Sequence, residues 1–310
     1  MGDDWYETVF ENRCPEVNEF LERKQQMGRS PRTLNEYSRT LRAFFHDEFP
    51  EVAPSEVTVR HVEDYVGSLA QRDVSRNTKR RYLETLSSFF SWAMKRPRYA
   101  DITGNPAAVV LEELPKQVPE RPDCATWENG RAIVHQLTEP RIKMVAAVMA
   151  KTGARVTEVV TLEQDDVLLD DGFIRFRNRK GASTTVFPID QELRRGLERY
   201  QVLRQDRGTG YVFPSIRSEH LSREQVRRAV RSAAVDAGLM DEGEHRFEKK
   251  FTPHTYRTVF TTEMRNAGME THILRYLRGD SDSEAMDVYT RVDRETAKEA
   301  YLDCIRELNL

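Results

Sequence analysis

Apolar residues return every three or four positions through most of the first hundred residues. Leu34, Tyr37, Leu41, Phe44 and Phe45 form one such stripe, and Tyr82, Leu83, Leu86, Phe89, Phe90 and Ala93 form another. That period marks a helix with one buried face. Ser30-Pro31 and Thr58 supply helix starts, and Asn105-Pro106 follows the last helix. Residues 15–105 are therefore expected to fold as a small helical bundle. Segment 106–122 breaks the pattern. Its four prolines, Pro106, Pro115, Pro119 and Pro122, cannot share one helix, so extended backbone and a domain linker are expected there. Helical spacing resumes after a Thr126 cap and pauses near Gly153. The period then changes. Residues 172–180 and 183–190 are rich in β-branched and aromatic residues and flank a Gly181-Ala182 turn, which predicts a β-hairpin. From Gln191 onward five helical segments follow. The expected fold class is mainly α with a small β-hairpin or sheet in the second of two domains. The expected boundaries are an acidic segment 1–14, a helical domain 15–105, a linker 106–122 and a second domain 123–310.

Length supports this division, since 310 residues suffice for two cores of ordinary size. The longest apolar runs, such as Met144 to Ala150, are far too short to cross a bilayer. Acidic residues Asp3, Asp4, Glu7 and Glu11 stand where a secretory leader needs a basic start, so a cytoplasmic location and no membrane partner are expected. Cys14, Cys124 and Cys304 are odd in number and widely spaced, which argues against a disulfide framework or a zinc site.

Net charge is −3, a weak footprint for nucleic-acid binding taken as a sum. Its distribution is more informative. Two stretches are locally basic, one around Arg76, Lys79, Arg80 and Arg81 and one around Arg223, Arg227, Arg228 and Arg231. These eight are the candidate DNA contacts. Arginine outnumbers lysine 38 to 10, a bias suited to planar, bidentate phosphate contacts.

The candidate chemistry lies in the second half. Arg155 follows Thr152-Gly153-Ala154 at the start of a predicted helix, beside a dipole that favours anions. Lys180 sits at the hairpin tip, before Gly181. His254 and Arg257, three apart, share a helix face. Tyr289 follows a polar stretch. Two guanidiniums, an amine, an imidazole and a phenol can clamp a phosphodiester, move protons and attack it without a metal ligand set or other cofactor.

In this order, and within the words TGARVTEV, KG, PHTYRTVF and YTRV, these residues closely resemble the tyrosine recombinases, or phage-integrase family. The resemblance spans both domains and implies a helical SAM-like core-binding domain followed by an α+β catalytic domain. It implies Arg155 and Arg257 as the phosphate-holding arginines, Lys180 as the hairpin lysine, His254 as the proton-transfer histidine and Tyr289 as the nucleophile. Glu158 matches the acidic residue one turn after the first arginine, and Arg179 is a lesser substitute for Lys180. The implied partner is double-stranded DNA, cut and rejoined by a protein that assembles as a tetramer. The match begins near the first residues, so an additional arm-binding domain is not expected. A Xer-like resolvase and the integrase of a small mobile element both fit. A binding-only regulator of this fold and a type IB topoisomerase-like strand transferase are the alternatives. Segment 294–308 carries an apolar face of Ala297, Ala300, Tyr301, Cys304, Ile305 and Leu308, which either docks on a neighbouring subunit or packs on its own domain.

One position departs from the family pattern. Asp280 stands where histidine or tryptophan usually precedes the tyrosine by nine residues. An ionised carboxylate accepts hydrogen bonds but cannot donate them. Held about 4 Å from a phosphate oxygen it would cost about 4 kcal/mol at an effective dielectric near 20. Asp280 is therefore expected to turn toward a basic neighbour such as Arg278 or Arg275, with another donor serving the phosphate.

Overall fold

The computed structural model describes residues 14–72, 74–118, 122–177, 184–204, 207–244, 246, 249–280 and 292–310. The chain divides into two compact units, Met1–Pro119 and Glu120–Leu310.

The first unit is helical. It contains α1 (Pro15–Gln26), α2 (Pro31–Arg42), α3 (Val59–Gln71), α4 (Arg76–Ala93) and α5 (Pro106–Glu113). A π-helical turn, Ala43–Glu48, prolongs α2 and buries Phe44 and Phe45. Ser30, Thr58 and Ser75 cap their helices by accepting from the amides of Thr33, His61 and Thr78. The apolar stripes meet in an aromatic core. Phe20 stands edge-on to Phe89 at 5.7 Å, and Phe44 edge-on to Tyr65 at 5.2 Å.

The expectation of extended backbone through 106–122 is corrected here. Asn105-Pro106 starts a helix. The Asn105 side chain accepts from the Ala108 amide at 2.9 Å, and Pro106 takes the first helical position, where a missing N–H costs nothing. Asn105 also donates to Ser87 O and Ser91 Oγ of α4, while Ala107 and Val110 enter the core. Beyond α5, Asn77 and Gln117 exchange two hydrogen bonds of 2.8 and 3.1 Å.

The second unit is built around α7 (Pro140–Thr152), in which every residue from Met144 to Thr152 is buried. Such an all-round buried helix belongs at the centre of a core. Around it pack α6 (Trp127–Gln136), α8 (Val156–Val160), α9 (Gln191–Leu203), α10 (Arg223–Asp236) and α11 (Pro253–Asn266). The helices α12 (Thr271–Arg278) and α13 (Arg294–Cys304) complete the unit. The hairpin strands are β2 (Phe173–Phe176) and β3 (Thr185–Pro188), paired antiparallel with Ile174 opposite Phe187. A two-residue strand, β1 (Val167–Leu168), adds to β2. The hairpin is thus part of a three-stranded sheet. Phe187 stands edge-on to Tyr301 at 5.2 Å and lies 6.0 Å from Phe260, joining sheet, α13 and α11.

The terminal helix packs on its own unit, with Ala297, Tyr301 and Cys304 buried, and Leu308 in the tail beyond it is buried as well. A buried cation secures the tail after it. Lys151, with no exposed side-chain surface, places Nζ 2.6 Å from both Asp190 Oδ2 and Glu192 Oε2 and donates to Arg306 O at 2.7 Å. Glu192 in turn accepts from the amides of Leu308 and Leu310. None of the three cysteines is in a disulfide, and no described helix is long and apolar enough to cross a membrane.

Candidate active site

Two helix ends and one helix start build the site. At its centre is Arg257, in the second turn of α11, with a side chain only 5% exposed. Its Nη1 donates to Gly153 O at 2.9 Å, and its Nη2 donates to Arg278 O at 3.1 Å and to Asp280 Oδ1 at 2.6 Å. Gly153 ends α7 in the left-handed region, at φ 61°. A Cβ there would sit 2.5 Å from the Phe260 ring, so glycine alone satisfies both backbone and packing. The carbonyl that holds Arg257 is therefore fixed by the C-cap of α7.

Arg155 lies two residues beyond Gly153, at the N-cap of α8. Glu158 holds it twice, accepting from the Arg155 amide at 2.9 Å and from Nη1 at 2.8 Å. The expected dipole contribution is small, because α8 has only five residues. Glu158 thus acts on Arg155 and sets its direction.

Asp280 follows α12. Gly279 adopts φ 60°, ψ 39°, and the amides of Gly279 and Asp280 return to Tyr276 O and Arg275 O. This left-handed C-cap turns the chain back and carries the Asp280 carboxylate into the arginine cluster. Oδ1 lies 2.6 Å from Arg257 Nη2 and 3.9 Å from Arg155 Nη2, and Oδ2 lies 3.2 Å from Arg278 Nε. The expected pairing with Arg278 is present. The shortest contact of Asp280, however, is with Arg257, a basic neighbour that the sequence reading did not name for it.

The electrostatics follow from this crowding. Burial, then repulsion from Arg278 and Arg155, lowers the Arg257 pKa to about 10, leaving it charged at neutral pH. His254, one turn earlier on α11, is pushed below the ordinary histidine value by desolvation, then by Arg257, Arg155 and Arg278. It is held neutral, ready to accept a proton. Arg278 is likewise lowered, by burial first, while Asp280 opposes the shift. Sequence reasoning treated Arg278 only as a neighbour of Asp280. Its one sequence signal was an arginine two residues before that carboxylate. Lys180, its lesser substitute Arg179 and Tyr289 lie outside the described residues.

Of the eight candidate DNA contacts, Arg76, Arg81, Arg223, Arg227 and Arg228 are exposed, and Lys79, Arg80 and Arg231 are half-buried. Three have structural duties. Arg80 Nη1 donates to Leu111 O and Leu114 O at 3.3 and 2.6 Å, closing the end of α5, and its Nε lies 3.1 Å from Glu84. Arg227 forks onto Glu224 at 2.8 and 2.7 Å, and Arg231 donates to Glu244 O at 2.9 Å. Arg80 therefore caps a helix within its own unit. Among the described residues no cluster of three His, Cys, Asp or Glu side chains could hold a metal ion.

The phage integrase family model matches residues 128–296, more than half of the chain, and the N-terminal SAM-like domain of phage integrases matches residues 17–99. Tyrosine recombinase XerC of Thermodesulfovibrio yellowstonii is 28% identical over 291 residues, covering 90% of this chain and 91% of that protein. Tyrosine recombinase XerA of Pyrococcus furiosus is 25% identical over 293 residues, covering 93% of each chain. The fold is also that of a lambda integrase tetramer bound to a Holliday junction, with a TM-score of 0.69 at 17% identity over 87% of this chain and 77% of the other. The chain belongs to the phage integrase family of tyrosine recombinases.

Proposed function

We propose that the protein is a cytoplasmic site-specific DNA recombinase that cuts and rejoins duplex DNA through a 3′-phosphotyrosyl intermediate, without metal or ATP. The observation that carries this reading is the convergence of Arg155 and Arg257 on one anion-bearing point, with His254 one turn before Arg257 on α11, in a member of this family. In the reaction, the Tyr289 oxygen attacks the scissile phosphorus as the bond to the 5′ oxygen breaks. Neutral His254 assists removal of the phenolic proton, and Lys180 protonates the departing 5′ oxygen. Arg155 and Arg257 hold the non-bridging oxygens, and Glu158 and Gly153 O keep the two guanidiniums aimed. The covalent link conserves the bond energy, so a 5′ hydroxyl from a partner strand reverses the step. The helical first unit would grip the duplex and four protomers would assemble at synapsis.

A binding-only regulator is the second reading, and the contact of Asp280 with Arg257 is what favours it. Covalent trapping separates the two. Nicked duplexes tiled across the gene's flanking sequence should give a denaturation-resistant protein-DNA adduct with wild type and none with Tyr289→Phe. Arg155→Ala or Arg257→Ala should slow adduct formation by about 100- to 1,000-fold. Specific binding without an adduct on any bound duplex would decide for the regulator.

A further inference from the structure

In the family pattern a histidine or tryptophan donates to the scissile phosphate at position 280, and here the residue is an aspartate that bonds one guanidinium and lies 3.9 and 3.2 Å from two more. Arg278 is the one of the three without a role so far. Its backbone carbonyl accepts from Arg257 Nη2, so the main chain of Arg278 is fastened to the buried arginine. Its side chain is about one-quarter exposed and reaches the same carboxylate. Its Nε is buried and makes no hydrogen bond among the described residues, although Asp280 Oδ2 is 3.2 Å away. The ion pair is close but the N–H is not aimed at it.

We infer that the Arg278 guanidinium is a catalytic residue that donates to the scissile phosphate in place of the missing histidine or tryptophan, with Asp280 as the residue that positions it. This inference rests on the recombinase reading. A carboxylate touching or approaching three guanidiniums marks a point that all three reach, and a phosphate entering there meets all three. A guanidinium has five N–H donors, so a carboxylate oxygen beside Nε leaves the donors on the two Nη atoms for the phosphate.

Charge balance points the same way. Among the described residues of the cluster, Arg155, Arg257 and Arg278 stand against Glu158 and Asp280, leaving one positive charge for a singly charged phosphodiester. Without Arg278 the two carboxylates would cancel the remaining two guanidiniums. His254, held neutral, adds nothing to the sum. An arginine at 278 and an aspartate at 280 thus form a compensating pair, in which the donor has moved two residues along the chain.

The test compares wild type, Arg278→Met, Arg278→Met/Asp280→His and Tyr289→Phe on one nicked duplex, with gel-shift binding measured in parallel. Arg278→Met should bind within about threefold of wild type but form adduct about 100- to 1,000-fold more slowly. Asp280→His, which restores a donor at the family position, should recover at least about tenfold of that loss. A rate for Arg278→Met within about threefold of wild type would overturn the inference while leaving the recombinase reading intact. A loss that Asp280→His does not recover, or that binding mirrors, would mark Arg278 as structural and overturn it too. Absence of adduct with wild type on every duplex that it binds would overturn the reading and the inference together.

Discussion

His254 shows how single residues here take their chemistry from their neighbours. Desolvation and three nearby guanidiniums disfavour its charged form, so its folded-state pKa lies below the ordinary value near 6.5. The base form therefore persists further into acid than for a free histidine. Cleavage rates measured against pH at limiting DNA should stay level down to about 6.5 and fall only below it. His254→Gln should remove that acidic limb, and a midpoint at or above the ordinary histidine value would contradict the assignment. Spacing alone put His254 and Arg257 on one helix face, because three residues is nearly one turn. What spacing could not show is where Asp280 points. Its direction depends on the left-handed Gly279 and on an arginine carbonyl 21 residues from Arg257. Asp280 was recognised from sequence as a departure and as a partner of Arg278, while its contact with Arg257 needed the fold.

At the scale of elements, most helices were legible because their caps and apolar stripes agree, as at the start of α10, where the Ser222 hydroxyl accepts from the Gln225 amide and the Ser222 amide donates to Gln225 Oε1. The misreading of α5 came from weighing prolines as breakers when one of them, preceded by asparagine, is a start signal. The β1 strand was missed because two residues carry no period. The junction of α7 and α8 is the element on which the site most depends. Gly153→Ala would force a non-glycine residue to φ 61° and drive a methyl group into Phe260. A loss of about 2 kcal/mol or more is expected. In a domain of this size that lowers Tm by roughly 4–8 °C. Because Gly153 O holds Arg257, adduct formation measured well below Tm should fall further than the folded fraction does. An unchanged melt would show that the junction relaxes freely.

Over the whole molecule, the described residues form two hydrophobic cores, one per unit. The catalytic unit closes around a fully buried ammonium. Lys151→Met would strand Asp190 and Glu192, which are 13% and 17% exposed, without their cation. A destabilisation of about 3–5 kcal/mol is expected, read as a lower urea midpoint for the second unit. Adding Asp190→Asn and Glu192→Gln should recover part of it. Lys151 was invisible in the sequence as anything but a surface lysine, since its partners lie 39 and more residues away. The contact of Asp280 with the arginine cluster has a consequence at this scale as well. A tethered carboxylate competes at an effective concentration of about millimolar or more. Free inorganic phosphate or a nucleotide must outcompete that built-in occupant from bulk solution. A backbone phosphate in a duplex already gripped elsewhere on the protein is tethered too, and contends on equal terms. On the recombinase reading, the centre would ignore the small anions of the cell and admit a phosphate only when the rest of the molecule delivers it.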